Sequence, residues 1–205
     1  YDGTPLTNAE VLVSGDGFVS EDIVQYSFTG RQTVVGSSPN TFTYRFNDEA
    51  MAENYSVTVQ YGTLLVESRE NAYPVTLQMN GETVTYDGNA HTAEGFTSNT
   101  FTVNGKTYTI SGIEAAITAT DAGTYPLAVS GDPVIYDEEN NDVTDQFYLD
   151  ILPAALIIER RNVILTSQSA EKEYDGTPLT NAEVLVSGDG FVGDEEVRYE
   201  VTGRQ

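Results

Sequence analysis

Cysteine and tryptophan are absent from this 205-residue chain, histidine occurs once, and lysine occurs only at Lys106 and Lys172. Without cysteine no disulfide framework can hold the fold, so stability must come from packing, strand ladders or neighbouring modules. The lone histidine, His91, has no cysteine to act with and reads as an exposed loop residue rather than a catalytic base. No serine sits in a nucleophile elbow and no carboxylate pair has a recognisable acid–base spacing, so the chain reads as non-enzymatic. Positive charge is scarce too: 9 basic against 32 acidic side chains leave a formal charge of −23. A field of that sign repels nucleic acid and anionic membranes and argues against both as partners. No stretch reaches the roughly 18 apolar residues that cross a bilayer, which argues against membrane insertion.

What the chain has instead is repetition. Residues 1–19, YDGTPLTNAEVLVSGDGFV, recur unchanged at 174–192, and the similarity runs on from 24–32 to 197–205 at the same offset of 173. A second, more diverged repeat lies inside this period. Tyr86-Asp87-Gly88 restates Tyr1-Asp2-Gly3 and Tyr174-Asp175-Gly176, and residues 53–67 align without a gap to 145–159 at an offset of 92. Residues 75–85 likewise resemble 163–173. Self-similarity at fixed periods marks an array of stacked units. One module therefore carries a lead strand, a YDG turn, a middle section and a closing strand. The chain holds a first module without its lead strand (1–68), a complete one (73–160) and the N-terminal half of a third (163–205). The connecting residues 67–72 and 159–162 are short and are not Gly/Ser linkers, so successive modules are expected to run head to tail as a rod.

The apolar pattern has the period of two that marks a half-buried strand. It is clear in residues 55–61, where Tyr55, Val57, Val59 and Tyr61 share a face, and in 101–110, where Asn104-Gly105 signals a two-residue hairpin. Asn80-Gly81 reads as a second hairpin, joining 75–78 to 83–86. The short apolar runs 11–13, 64–66 and 156–158 read as central strands covered on both faces. Helix signals are thin: residues 48–53 can make one or two turns with Asp48 at the positive end. The fold class is all-β, as tandem small immunoglobulin-like sandwiches with a β-grasp-like sheet as the runner-up. Tyr86, Tyr125, Leu156 and Ile158 are the expected core. Asp121-Ala-Gly-Thr-Tyr125 matches a tyrosine corner, in which the ring packs inward and the hydroxyl ties down the preceding loop.

Three constellations invite a ligand or a crosslink. Asp137, Glu138, Glu139 and Asp142, with Asp145 close by, place many hard oxygens in one loop, as calcium prefers. The loop lacks the alternation and central glycine of an EF-hand, so a solvated acidic loop competes with the calcium reading; Asp194-Glu-Glu196 is a lesser cluster of the same kind. Lys106 and Lys172 are the candidates for an intramolecular isopeptide bond. The 13 tyrosines could stack on sugar rings if an exposed face gathered them, although their alternation also suits core packing.

The Y-D-G-T-P-L-T start, Thr29-Gly-Arg-Gln-Thr-Val-Val-Gly36, and the N-Y-x-V-x-x-x-x-G-x-L-x-V close from Asn54 to Val66 together resemble the YDG-type (MBG-like) tandem repeats of Gram-positive bacterial surface proteins. The resemblance implies an extracellular location, on the bacterial surface or in a secreted fibre, and a role as stalk or adhesin. The partners it implies are neighbouring modules of the same protein and, for an adhesin, a host glycan or protein. No organic cofactor is implied. The repeat itself sets two further expectations. The two copies of the 32-residue overlap should share one backbone. The module lacking its lead strand and the half-module owning one should complement each other, within a longer chain or by end-to-end association.

Overall fold

A computed structural model describes residues 1–19, 24–193, 195 and 197–204. The fold is all-β, with 45% of the described residues in strands and 5% in helix. The first repeat contains β1 (Val24–Phe28), β2 (Gly36–Pro39), β3 (Phe42–Phe46) and β4 (Thr63–Val66). The middle repeat contains β5 (Tyr73–Gln78), β6 (Glu82–Thr85), β7 (His91–Glu94), β8 (Thr100–Val103), β9 (Lys106–Ala119), β10 (Gly123–Pro126), β11 (Ala128–Tyr136), β12 (Phe147–Leu152) and β13 (Ala155–Glu159). The third contributes β14 (Val163–Ser167) and β15 (Val184–Gly188).

The chain packs as two compact units whose limits differ from those of the repeats. One comprises Tyr1–Thr76, Asn99–Gly112 and Asp132–Asp150; the other comprises Leu77–Ser98, Ile113–Gly131 and Ile151–Gln205. In the first, β1 pairs antiparallel with β3, and β2 with β4. Its interior mixes aliphatic side chains, Leu64, Val75, Ile110, Ile135 and Val143, with clustered rings. Phe18, Phe46 and Tyr55 pack ring to ring with centroids 5.2–5.6 Å apart, and Phe101, Tyr108 and Phe147 form a second group at 4.7–5.4 Å. In the second unit β13 is the central strand of the order β10-β13-β6, antiparallel to β10 and parallel to β6. Its core joins Met79, Ala93, Ala115, Leu127, Leu156 and Ile158. Leu156 and Ile158 are buried at 0% and 2% exposure. Tyr86 and Tyr125 are half-buried, packed against that cluster by their rings.

The local turn chemistry acts as the sequence suggests. Asn104 (φ 51°) and Gly105 (φ 76°) close the β8–β9 hairpin at the Val103–Lys106 pair, because a two-residue turn with positive φ matches the strand twist. The Asp48 carboxylate accepts the Ala50 N–H and caps a 3-10 turn over Glu49–Asn54. The Tyr125 hydroxyl donates to the Asp121 carbonyl at 3.0 Å, as in a tyrosine corner.

Four expectations need correction. Residues 75–86 do not form a hairpin: β5 pairs with β12 while β6 pairs with β13, so Asn80-Gly81 joins strands of different sheets. Gly81 instead approaches the Ala155 carbonyl, where a Cβ would stand 3.1 Å away. The apolar runs 64–66 and 156–158 are covered on one face only, since Leu65 and Ile157 point outward at 57% and 38% exposure. Residues 55–61 lie outside every strand despite their alternation. The overlap copies also differ: residues 11–15 are not a strand, whereas their identical counterparts form β15, and β1 has a non-strand counterpart at 197–201.

Candidate functional site

Two features are built from repeated residues, and the first is a joint at each end of the middle repeat. In one unit the Tyr1 amino nitrogen donates to the Glu67 carbonyl at 2.8 Å, and Arg69 Nη1 reaches the Tyr1 carbonyl at 3.4 Å. The other unit repeats this 92 positions later on the closing-strand side. There the Tyr86 N–H donates to the Glu159 carbonyl at 2.8 Å, and Arg161 Nη1 to the Tyr86 carbonyl at 3.1 Å. The YDG tyrosine is thus clamped through both its backbone groups, to a closing strand and to a linker arginine whose planar fork offers several donors.

Each joint also binds the repeat that comes after it. Arg69 stacks over the Tyr73 ring at 3.9 Å, and its N–H donates to the buried Gln146 Oε1 at 3.1 Å. Arg161 donates through Nε to the Gly190 carbonyl at 2.9 Å and through Nη2 to that of Asp189. Gly3 and Gly88 share φ 80°, and each lies where a Cβ would collide with the succeeding repeat: Gly3 with the Tyr108 hydroxyl, Gly88 with Val192 Cγ1 at 2.8 Å. The tyrosine hydroxyls close the contacts. That of Tyr1 lies 3.4 Å from that of Tyr108, and that of Tyr86 donates to Glu195 at 2.7 Å. Burial, followed by the Tyr108 hydroxyl, drives the Tyr1 phenol far above its ordinary pKa. The bond to Glu195 raises that of Tyr86.

The aspartate of each YDG sets the turn itself. Asp2 Oδ1 accepts the Thr4 N–H and hydroxyl at 2.8 and 2.7 Å, and Asp175 accepts those of Thr177 at 2.9 and 2.8 Å. Asp87 accepts the Asn89 N–H and amide and also holds His91 Nε2 at 2.8 Å. These donors depress all three carboxyls: Asp87 to about 2, mainly through Asn89; Asp2 through Thr4; Asp175 through Lys172 and then Thr177. His91 is therefore half-buried and partnered, orienting a turn rather than standing free in a loop.

The second feature is an open groove of about 1190 Å³ in the first unit, between residues 10–19 and 54–62. Aromatic side chains, among them Phe18, Tyr26, Phe42, Tyr55 and Tyr61, line it. Leu12 is 92% exposed. Asn40 also lines the groove, and its buried Oδ1 has no hydrogen-bond partner among the described residues.

The acidic loop is occupied by its own donors. Asp137 accepts the N–H groups of Glu139 and Asn141 and the Asn141 amide, at 2.8–3.1 Å. Glu138 accepts the Thr107 N–H at 3.2 Å and faces Lys106 at 3.7 Å. Asp142 accepts the Thr144 hydroxyl and N–H, which lower its pKa. Glu139 and Asp145 are exposed. Among the described residues no three acidic, histidine or cysteine side chains gather to hold a metal ion. Asp194 and Glu196 lie outside the described residues. Neither lysine sits in the apolar setting an isopeptide bond requires: Lys106 pairs with Glu138 and Lys172 with Asp175, both part-exposed.

The arginine clamps escaped sequence reading because Arg69 and Arg161 look like ordinary linker charges; their recurrence at the repeat's own offset of 92 was the available signal. No family model, no curated protein and no solved structure matches this chain.

Proposed function

We propose that this chain is a structural repeat segment of an extracellular bacterial surface fibre or stalk, without enzymatic activity, of the YDG-type (MBG-like) kind. The observation that carries the reading is the joint. The same backbone groups of Tyr1 and Tyr86 meet the same partners, Glu67 with Arg69 and Glu159 with Arg161, at both module boundaries. A joint whose tyrosine backbone bonds recur at both boundaries propagates one geometry along an array, as a stalk requires. Each repeat is read as an immunoglobulin-like sandwich, which the Tyr125–Asp121 corner supports; a β-grasp-like sheet is the runner-up, favoured by the parallel β13–β6 pair. The charge of −23 then keeps neighbouring fibres apart.

The test is small-angle scattering on arrays of one, two and three 173-residue periods. A maximum dimension rising in proportion to the number of periods supports the stalk, and a globular scaling sinks it. Arg69→Ala and Arg161→Ala should increase interdomain motion without unfolding either repeat. A second reading, an adhesin domain taking a host glycan or protein, is favoured by the aromatic lining of the groove. Saturable binding on a glycan array that is lost in Tyr61→Ala would support it.

A further inference from the structure

Two asparagines of this chain precede a glycine, Asn80 and Asn104. The dipeptide has a chemistry of its own, because asparagine amides are labile. A glycine carries no Cβ to shield its nitrogen, so that nitrogen can reach the carboxamide of the residue before it. By sequence the two pairs are the same; the fold treats them differently.

Asn80-Gly81 is held on all sides. The Asn80 N–H donates to the Gly95 carbonyl at 3.0 Å, and its Nδ2 to the Glu94 carbonyl at 3.1 Å. The Met79 N–H just before it is bonded to Leu152, and Glu82 just after it is paired with Leu156. Gly81 itself lies against the Ala155 carbonyl. Swinging this backbone toward the Asn80 carboxamide would break bonds to three different segments.

Asn104-Gly105 is the exposed tip of the β8–β9 hairpin, closed by the Val103–Lys106 pair. The Gly105 N–H has no hydrogen-bond partner among the described residues, and a Cβ there would meet nothing within 4 Å. The Asn104 carboxamide is tethered through Nδ2, which donates to the Tyr73 hydroxyl at 2.9 Å.

We infer that Asn104 is a site of spontaneous deamidation, and that its conversion loosens the joint around Tyr1. The Gly105 nitrogen attacks Asn104 Cγ. A new N–Cγ bond forms, the Cγ–Nδ2 bond breaks, and Nδ2 leaves as ammonia with the proton that Gly105 gives up. Water then opens the five-membered succinimide. Attack at Cγ leaves aspartate; attack at the backbone carbonyl leaves isoaspartate, whose main chain runs through Cβ and Cγ and is one atom longer. Asn104 must leave its φ of 51° for the first step, so conversion waits on opening of the tip, which costs less than opening a segment held on both sides.

The product acts on the clamp. The Tyr73 hydroxyl accepts from Asn104 Nδ2 and also from Arg69 Nη1 at 3.0 Å. The same guanidinium lies over the Tyr73 ring and reaches the Tyr1 carbonyl. A carboxylate at position 104 cannot donate to that hydroxyl, and it competes with the Tyr1 carbonyl for a guanidinium that bonds carboxylates most strongly. The isoaspartyl chain, one atom longer, no longer fits a two-residue turn. It displaces Lys106, whose Cγ lies 3.5 Å from where a Cβ on Gly3 would stand. At the other joint Gly88 faces Val192, and residues 163–205 contain no Asn-Gly pair. That joint is the internal reference. The inference rests on the turn and its tether, independently of the stalk and adhesin readings.

The test keeps the full chain in warm, mildly alkaline buffer and follows each asparagine by peptide mass as amide becomes acid. In the native chain residue 104 should convert about tenfold or more ahead of residue 80. In strong denaturant the two should convert together, because only the fold separates them. Once residue 104 is converted, the Lys106 and Arg69 amides should exchange about tenfold faster, while the Tyr86 amide at the reference joint keeps its rate. An Asn104 amide that survives in the native chain while both pairs convert in denaturant, or that converts no faster than Asn80, overturns the site. Full conversion with unchanged exchange at Lys106 and Arg69 overturns the effect on the joint.

Discussion

Residues 1–19 and 174–192 are the same sequence folded in two surroundings. Where the chain bonds to itself nearby, the copies agree. Gly3 and Gly176 share φ 80°, Gly15 and Gly188 have 79° and 80°, and Gly17 and Gly190 have 72° and 68°. Asn8 accepts the Glu10 N–H at 3.0 Å, and Asn181 accepts that of Glu183 at 2.9 Å. Where a bond must reach far along the chain, they part. Residues 184–188 form β15 beside β14, whereas 11–15 are in no strand among the described residues. The converse holds downstream, where β1 pairs with β3 while 197–201 are in no strand among the described residues. Turns are local and travel with the sequence; a strand exists only beside a partner.

The largest expected effect comes from erasing that difference. Fusing residues 160–173 ahead of Tyr1 should turn 11–15 into a strand matching β15. Amide protection there should rise about a hundredfold or more; exchange left at its present rate would show that the missing partner is not the cause.

Core truncation compares two repeats at one position. Leu156→Ala should cost about 3–5 kcal/mol, since this side chain is fully buried between β10 and β6. Leu64→Ala, whose strand β4 pairs with β2 alone among the described residues, should fall nearer 2 kcal/mol. Denaturant midpoints of the two variants decide it, and equal losses would mean that the parallel neighbour adds nothing to packing.

Substituting alanine for the YDG glycines separates backbone strain from contact. Gly176→Ala meets nothing within 4 Å and carries only the left-handed backbone cost, about 1 kcal/mol. Gly3→Ala and Gly88→Ala add a collision at the joint and should cost about 1–2 kcal/mol more. Three equal values would remove the joint as a packed contact.

Acid gives the smallest effect. The YDG carboxyls titrate below their unfolded value of 3.8. Their contribution is therefore complete above about pH 4 and is lost as pH falls, for Asp87 through about 2. Amide shifts of Thr4, Asn89 and Thr177 against pH should report it; a midpoint near 4 at Asn89 would mean that the turn does not hold the Asp87 charge.

The features readable in the sequence obey the same division. The Asn104-Gly105 hairpin, the Asp48 cap and the Tyr125 corner each depend on residues within a few positions of one another. Asn80-Gly81 carried an equally good hairpin signal and misled, because β6 pairs with β13, whose Leu156 and Ile158 are buried, while β5 pairs with β12. Residues 55–61 alternate as cleanly as any strand, yet their counterpart β12 is a strand only because β5 lies next to it. The aromatic walls of the groove were not legible, since nothing in the spacing of Phe18, Phe42 and Tyr61 tells which of them meet.

The sequence by itself determined the all-β class, the repeat periods and those turns whose donors and acceptors lie a few positions apart, such as Asn104-Gly105 and the YDG aspartates, because these depend on side-chain type and on spacing over a few residues. Only the tertiary structure decided which strands pair, that Arg69 and Arg161 clamp the YDG tyrosines, and that one of two identical segments is a strand and the other is not. Those outcomes rest on partners tens of residues away, and a hydrogen bond across that distance exists only once the whole unit has folded.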